Sequence, residues 1–348
     1  MAGRSSRNGI VRSASRRLVG FSRARLPFKG RGIYYISNRM RVLIAGATGA
    51  IGRPLIRCLK QDRHTVFALV RSPDSSHVVT QLGAEPVTAD VLDAASVKAA
   101  IDRTRPDAVI NELTSLPKHY TAAEMRAAAE RDTQLRVEGN ANLLAALRRT
   151  GEARYLLQSS AFWYAPGDGL ADESASFAFD ASAAVAAGTR RYAQLEAAAS
   201  ATPCIAFVAL RYGFFYGPGT WFHNDGDMGE QVRQQRVPVI GGGQGVWSWV
   251  HIEDAAAATA AALECPPGAY NIVDADPSLQ RVWLPAFARA VDAPAPLGVT
   301  EEEALAEFGA DPVYYATRLR GASNEKAKRE LSFRPRALEW LQQSQFDP

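Results

Sequence analysis

From residue 41 onward, short apolar runs alternate with stretches whose apolar positions recur every three or four residues. Arg41–Ala45 (RVLIA) and Thr65–Val70 (TVFALV) are apolar on both alternating faces, as strands buried on both sides of a sheet must be. Glu85–Thr88, Ala108–Ile110, Arg154–Gln158 and Ile205–Leu210 complete a set of six predicted strands. Helical spacing lies between them, over Ile51–Lys60, Ala94–Asp102, Ala122–Arg149 and around Arg190–Ser200. Strict β–α alternation predicts a doubly wound parallel sheet with helices on both faces.

The texture changes after residue 211. Gly, Pro and aromatic residues cluster in 212–229 and 238–249, and shorter helical stretches follow at 254–263, 285–291, 301–308 and 324–330. The expected fold is therefore α/β: a Rossmann-type domain over 40–211, and a smaller mixed α/β lobe for the substrate over 212–348, with some segments free to return to the sheet. No internal repeat or long low-complexity linker appears.

Composition changes this picture at one end only. The formal net charge is +4, yet residues 1–39 hold ten Arg or Lys and no Asp or Glu. Removing those ten from the 40 basic residues leaves 30 against 36 acidic ones, so the body from Met40 carries −6. The positive charge belongs to a tail and not to a nucleic-acid-binding face. Three readings of the tail stand side by side: an Arg- and Ser-rich transit peptide, a disordered arm, or an extension upstream of a true start at Met40. Cytoplasmic location is expected, with organelle targeting by the tail as the alternative. Hydrophobic residues make up 47 % of the chain without any run of about 18, so no membrane span is expected. Cys58, Cys204 and Cys265 are scattered, and neither a CxxC nor a Cys/His cluster points to a metal.

The chemistry is concentrated first in the turn after the first strand, Gly46-Ala47-Thr48-Gly49-Ala50-Ile51-Gly52. One glycine permits the strand-to-helix turn, a second lets backbone approach a diphosphate, and a third lets helix and strand pack closely. The anion would rest on the free N–H groups of the helix start. Thr48, Ala50, Ile51 and the following Arg53 are assigned to the same site. The second strand ends in Val70-Arg71, where an NAD site usually has an acidic residue for the ribose 2′-hydroxyl. Arg71 offers donors to a 2′-phosphate instead, so NADP(H) is the expected cofactor and NAD(H) the weaker alternative. Asp90 and Val91 are expected at the adenine edge. Leu113 and Thr114 are expected against a ribose.

With these segments in place, the chain resembles the extended, and in part the atypical, short-chain dehydrogenase/reductase superfamily, in its NAD-dependent epimerase/dehydratase group. The resemblance rests on GATGAIG at 46–52, VEGNANLLAAL at 137–147, QSSAFWY at 158–164, LRYGFFYGPG at 210–219, VHIEDAAAA at 250–258, YNIVD at 270–274 and NEKAKRELSFRPR at 324–336. It implies a Ser after the fifth strand and a Tyr-x-x-x-Lys on the next helix, the tyrosine as acid/base and the lysine holding the ribose. Ser160 and Tyr164 match the serine and a nearby family aromatic. The lysine has no match: one register gives Arg190 and Gln194, another gives Tyr192 and Glu196. Tyr164 or Tyr192 is left as the candidate acid, with Ser160 as hydrogen-bond partner and Arg190 as the substitute charge. Trp247 stands where sugar-nucleotide enzymes of the group carry an arginine, and Trp221, Phe222 and Trp249 suggest an aromatic pocket. The resulting expectation is an NADP(H)-dependent oxidoreductase or epimerase-like enzyme acting on a carbonyl or alcohol of a small, fairly apolar substrate. A catalytically silent NADP(H)-binding sensor or scaffold, and an NAD-dependent sugar-nucleotide epimerase or dehydratase, are the alternatives. A homodimer is admitted.

Overall fold

The computed structural model describes residues 39–149 and 151–343. All of the basic tail except Arg39 lies outside the described residues. The sheet strands are β1 Arg41–Ala45, β2 Thr65–Val70, β3 Glu85–Thr88, β4 Ala108–Asn111, β5 Ala153–Ser160 and β6 Ile205–Tyr212. Between them run α1 Gly52–Gln61, α2 Pro73–Gln81, α3 Ala94–Thr104, α4 Ala122–Leu147 and α5 Ala183–Ser200. Beyond residue 212 come β7 Phe214–Tyr216, α6 Asp227–Arg233, β8 Val239–Ile240, β9 Val246–Trp247, β10 Trp249–His251, α7 Ile252–Ala261 and β11 Gly268–Ile272. The chain continues through β12 Ser278–Leu279, α8 Gln280–Ala290, β13 Gly298–Val299, α9 Glu301–Phe308, α10 Ala310–Thr317, α11 Glu325–Leu331 and α12 Glu339–Gln343.

Seven parallel strands form the main sheet in the order β11-β6-β5-β4-β1-β2-β3. The order reverses at β1 and β4, so the carboxyl ends of these strands open a crevice at a topological switch point. β11 lies late in sequence and joins the sheet's edge beside β6, from Gly268 opposite Val208 to Ile272 opposite Tyr212. Strand alternation separates two cores. Val42, Ile44, Leu156, Leu210 and Ile272 pack with α1 and α7 on one face. Leu43, Val109, Tyr155 and Leu157 pack with α3, α4 and α5 on the other. A third core, rich in Trp and Phe, holds the C-terminal lobe together.

Local chemistry places the ends of these helices. The Ser72 hydroxyl accepts from the Ser75 N–H at 3.2 Å, and Pro73 supplies a pre-set φ, so α2 begins immediately after β2. Thr121 caps α4 through the Glu124 N–H at 3.2 Å. α5 starts at Ala183, earlier than the expected 190, because the Ala-rich 183–187 segment is a good helix former. Among the described residues no helix is long and apolar enough to cross a membrane.

Candidate active site

The turn between β1 and α1 is shaped by three glycines with different reasons to be glycine. Gly46 has φ +92°, and a Cβ there would lie 2.4 Å from the Glu112 carbonyl oxygen. A Cβ on Gly52 would lie 2.5 Å from the carbonyl oxygens of both Ala47 and Gly46. These two positions are fixed by the protein's own backbone. A Cβ on Gly49 meets only the Gly46 carbonyl oxygen, at 3.2 Å, so the space in front of Gly49 is not filled by the protein. The α1 N-terminus has no side-chain cap and no acidic residue in its first turn. Its open N–H groups fit the diphosphate of a dinucleotide.

Arg53 and Arg71 are both exposed. Arg53 donates from Nε to the Thr48 carbonyl at 3.0 Å, folding back over the turn. Arg71 follows buried Val70 at the end of β2. At the third strand's end, exposed Asp90 accepts from the Leu92 N–H at 3.1 Å. Val91 is buried, and its carbonyl accepts from Asn142 at 2.9 Å. After β4, half-buried Leu113 leans towards Gly139 of α4, and Thr114 is exposed. A methyl group on Gly139 would crowd Leu113 at 3.0 Å, so this glycine sets how closely α4 approaches.

The expected catalytic residues have different surroundings. Ser160 ends β5, buried, and its Oγ accepts from the Phe162 N–H at 3.4 Å. Tyr164 is fully buried: its hydroxyl donates to Asn271 Oδ1 at 2.6 Å and accepts from Arg211 Nη1 at 2.9 Å. Burial pushes that hydroxyl up to about 12 against the lowering effect of the Arg211 guanidinium. A hydroxyl spent on two protein partners inside the core has no free direction for a substrate. Arg190 is exposed on α5 and donates to the Phe179 carbonyl at 3.0 Å. It does not accompany Tyr192, which faces inward.

The buried face of α5 carries Gly188 and Tyr192, four residues apart. Gly188 receives the Trp163 indole: a Cβ there would lie 2.4 Å from its Cη2. Glu196, the partner offered by the second register, is consumed elsewhere. It takes Arg211 through Nε at 2.9 Å and Nη2 at 2.7 Å, and the Ser159 hydroxyl at 2.5 Å. Tyr192 instead meets a cation that the sequence reading missed, Arg136 of α4, whose guanidinium lies 5.3 Å from its ring centroid. Arg136 is buried and bound through Nε to Asp132 Oδ2 at 2.7 Å. Asp132 also receives the Ser115 N–H at 2.8 Å. Burial raises the Tyr192 hydroxyl's pKa, and Arg136 opposes the rise. An Asp at i and an Arg at i+4 on α4 was the available signal for this pair, but nothing local to the sequence ties it to Tyr192.

The aromatic residues divide into core and lining. Trp249 and Phe222 are buried, within 4.8 Å of each other, and Trp283 is buried beside Trp249. Half-buried Phe162, just past β5, stacks on half-buried Phe214, just past β6, at 4.2 Å. Phe214 in turn stacks on Trp247 at 4.1 Å. The half-buried Trp163 donates from its indole to the Tyr315 hydroxyl at 3.0 Å. Beside them the loop from β4 to α4 is strapped to the lobe: the Trp221 indole donates to the Pro117 carbonyl at 3.1 Å, and Asp227 accepts from the Tyr120 N–H at 2.7 Å. Among the described residues no group of three His, Cys, Asp or Glu is placed to hold a metal.

A glycine turn at the switch point of a seven-stranded parallel sheet, under a lobe faced with aromatic rings, defines a Rossmann-type dinucleotide-dependent enzyme. The chain belongs to the NAD dependent epimerase/dehydratase family, whose pattern matches residues 42–272. It is 36 % identical over 308 residues to a 3-diazoavenalumate denitrifying reductase from a Streptomyces species, covering 86 % of this chain and 98 % of that protein. It is 29 % identical over 268 residues to a 2-alkyl-3-oxoalkanoate reductase of Stenotrophomonas maltophilia, covering 73 % of this chain and 77 % of that one. Its fold is similar to that of the crystal structure of a UDP-glucose 4-epimerase from Stenotrophomonas maltophilia with bound NAD and formylated UDP-arabinopyranose. That likeness has a TM-score of 0.66 at 20 % identity and covers 87 % of this chain and 95 % of that chain. The family and the reductase relatives make this an NAD(P)-dependent enzyme of the oxidoreductase and epimerase kind.

Proposed function

We propose that the chain is an NADP(H)-dependent reductase of a planar aromatic substrate, and that the group it reduces is a diazo group on the ring. The observation that carries the reading is the inward face of α5. Where the family pattern has a tyrosine one helical turn ahead of a lysine, α5 offers Arg190 and Gln194 in one register and Tyr192 and Glu196 in the other, with Glu196 bound to Arg211 and Ser159, and Trp163 fills the inward space at Gly188. Reducing a carbonyl leaves an alkoxide that needs a proton; Tyr164 is held by Asn271 and Arg211, and Tyr192 is buried beside Arg136 with no lysine one turn after it. NADPH bound there would supply a hydride, and an aryl diazonium taking it would become the arene with loss of dinitrogen, leaving NADP⁺ and needing no proton. The denitrifying reductase to which the chain is 36 % identical supports this choice of reacting group.

Each remaining part of the site has a role in this reading. Gly46, Gly49, Gly52 and the start of α1 hold the diphosphate. Arg71, which makes no ion pair with a described residue, holds the 2′-phosphate, with Arg53 beside it, while Val70 gives a bare ribose no acceptor. Leu113 and Tyr192, the latter steadied by Arg136, flank the nicotinamide ribose. The stacked Phe162, Phe214 and Trp247 offer flat apolar faces to an aromatic ring.

Two measurements test this. With a hydroxyaryl diazonium salt, NADPH oxidation above the protein-free rate is expected to match dinitrogen release one to one. NADPH consumption with ketones but not with the diazonium would overturn the substrate class. For the cofactor, charge-assisted hydrogen bonds contribute about 1.5–3 kcal/mol, and about 1.4 kcal/mol is tenfold. NADPH should therefore bind roughly ten- to a hundredfold more tightly than NADH, and Arg71→Ala should remove that preference while leaving NADH binding unchanged. Equal weakening of both by Arg71→Ala would reject the 2′-phosphate assignment.

A further inference from the structure

Glu112, whose backbone carbonyl and Cβ abut the glycine turn, carries a buried carboxyl group that the proposed reaction does not use. Glu112 follows β4, 6 % exposed, and its backbone carbonyl is the group that forces residue 46 to be glycine. Its Oε1 lies 2.9 Å from the Tyr212 hydroxyl of β6. That hydroxyl lies 2.6 Å from Thr259 Oγ1 of α7, and the Thr259 hydroxyl donates to the Ala255 carbonyl at 2.7 Å. The other carboxyl oxygen, Oε2, has no hydrogen-bond partner among the described residues.

Counting hydrogens along this chain assigns a proton. The Ala255 carbonyl can only accept, so the Thr259 hydrogen is spent on it. The contact between Thr259 and Tyr212 then takes the Tyr212 hydrogen. The third contact, between Tyr212 and Glu112, has no hydrogen left unless the carboxyl brings its own. The charges around Glu112 agree. Tyr212 and Thr259 are neutral, the Gly46 turn presents backbone, and the cation that acts on it, Arg136, is already bound to Asp132. Burial accordingly pushes the Glu112 carboxyl up to about 8, with Arg136 pulling the other way.

We infer that Glu112 must carry a proton for the turn above it to accept a dinucleotide diphosphate, so that it sets cofactor affinity as a function of pH. This rests on the reading that the turn binds NADP(H). Ionised, Glu112 would be a buried negative charge under an anion site, where low dielectric strengthens repulsion. The sign follows from linkage. Binding an anion raises the carboxyl's pKa, so affinity is full below the free protein's value and is lost as pH rises through it, with a proton taken up on binding.

The test is the Kd for NADPH at pH 7 and pH 9.5, in the wild type and in Glu112→Gln. The amide supplies the third hydrogen of the chain without ionising. A one-unit rise in pKa on binding corresponds to a tenfold change, so the wild type is expected to bind about tenfold more weakly at pH 9.5, and Glu112→Gln equally well at both. Equal pH dependence in the two proteins, or none in the wild type, overturns the inference. Should the variant not fold, calorimetry of the wild type at pH 8.5 in buffers of different ionisation enthalpy decides: proton uptake on NADPH binding supports it, and zero uptake overturns it. Absence of NADPH binding at pH 7 would instead remove the cofactor reading itself, and this inference with it.

Discussion

Gly49→Val is expected to abolish NADPH binding while leaving the melting temperature close to wild type. The new Cβ meets one protein atom, the Gly46 carbonyl oxygen at 3.2 Å, and the backbone at 49 is not among those with positive φ. The Gly46 carbonyl has to give by only a few tenths of an ångström to admit the Cβ, and the space the side chain would occupy is the one assigned to the diphosphate. Gly46→Val should behave in the opposite way. There φ is +92° and the Cβ would approach the Glu112 carbonyl oxygen to 2.4 Å. The left-handed conformation alone costs about 1–3 kcal/mol for a residue other than glycine, and the collision adds to it, so stability falls along with binding. Calorimetry and thermal unfolding of the two variants separate these effects. Retained NADPH affinity in Gly49→Val would show that the turn does not hold the cofactor.

Glu196→Ala is expected to cause the largest loss of stability of any change near the site without touching the cofactor turn. Glu196 takes two hydrogen bonds from Arg211, whose side chain is only 9 % exposed, and a third from Ser159. Arg211 also donates to Tyr164 and to the Glu173 carbonyl, and covers the Phe177 ring at 4.5 Å. Removing one member of a buried ion pair leaves the other charge uncompensated, at a cost of about 3–5 kcal/mol. Denaturant unfolding should show that loss, with Glu196→Gln intermediate because the amide still accepts from Arg211. A change below about 1 kcal/mol would mean that water reaches Arg211 in the folded protein.

Much of this architecture was readable from apolar spacing. β1 and β2 run over the residues predicted for them, because a strand buried on both faces must be almost wholly apolar and is bounded by turn residues, and β3, an edge strand that buries only Val87, also matches its predicted span. α2 escaped because it buries only Val79 and its helix is specified by the Ser72 cap rather than by an apolar stripe. β11 escaped as a sheet strand because its partner β6 is more than fifty residues away, and pairing across that distance leaves no local mark. The same distinction runs through the site. The glycine turn is a local motif, so its residues were legible. Trp163 filling Gly188, Arg136 reaching Tyr192, and Tyr164 being consumed by Asn271 and Arg211 are all contacts between distant segments. Residue identities alone left Tyr164 and Tyr192 equivalent; both are buried, and hydrogen bonding distinguishes them, because the Tyr164 hydroxyl is bound to Asn271 and Arg211.

On the proposed function this chain delivers a hydride to an aromatic carbon that loses nitrogen, without a protein acid. The most direct measurement is isotopic. The protein, NADPH carrying deuterium at the transferable C4 position and a hydroxyaryl diazonium salt are combined in ordinary water, and the arene product is analysed by mass spectrometry and NMR. One deuterium is expected on the ring carbon that bore the diazo group, with dinitrogen equal to the NADPH consumed. An arene whose new hydrogen comes from water, or an enzyme that leaves the diazonium untouched while reducing ketones, would contradict it.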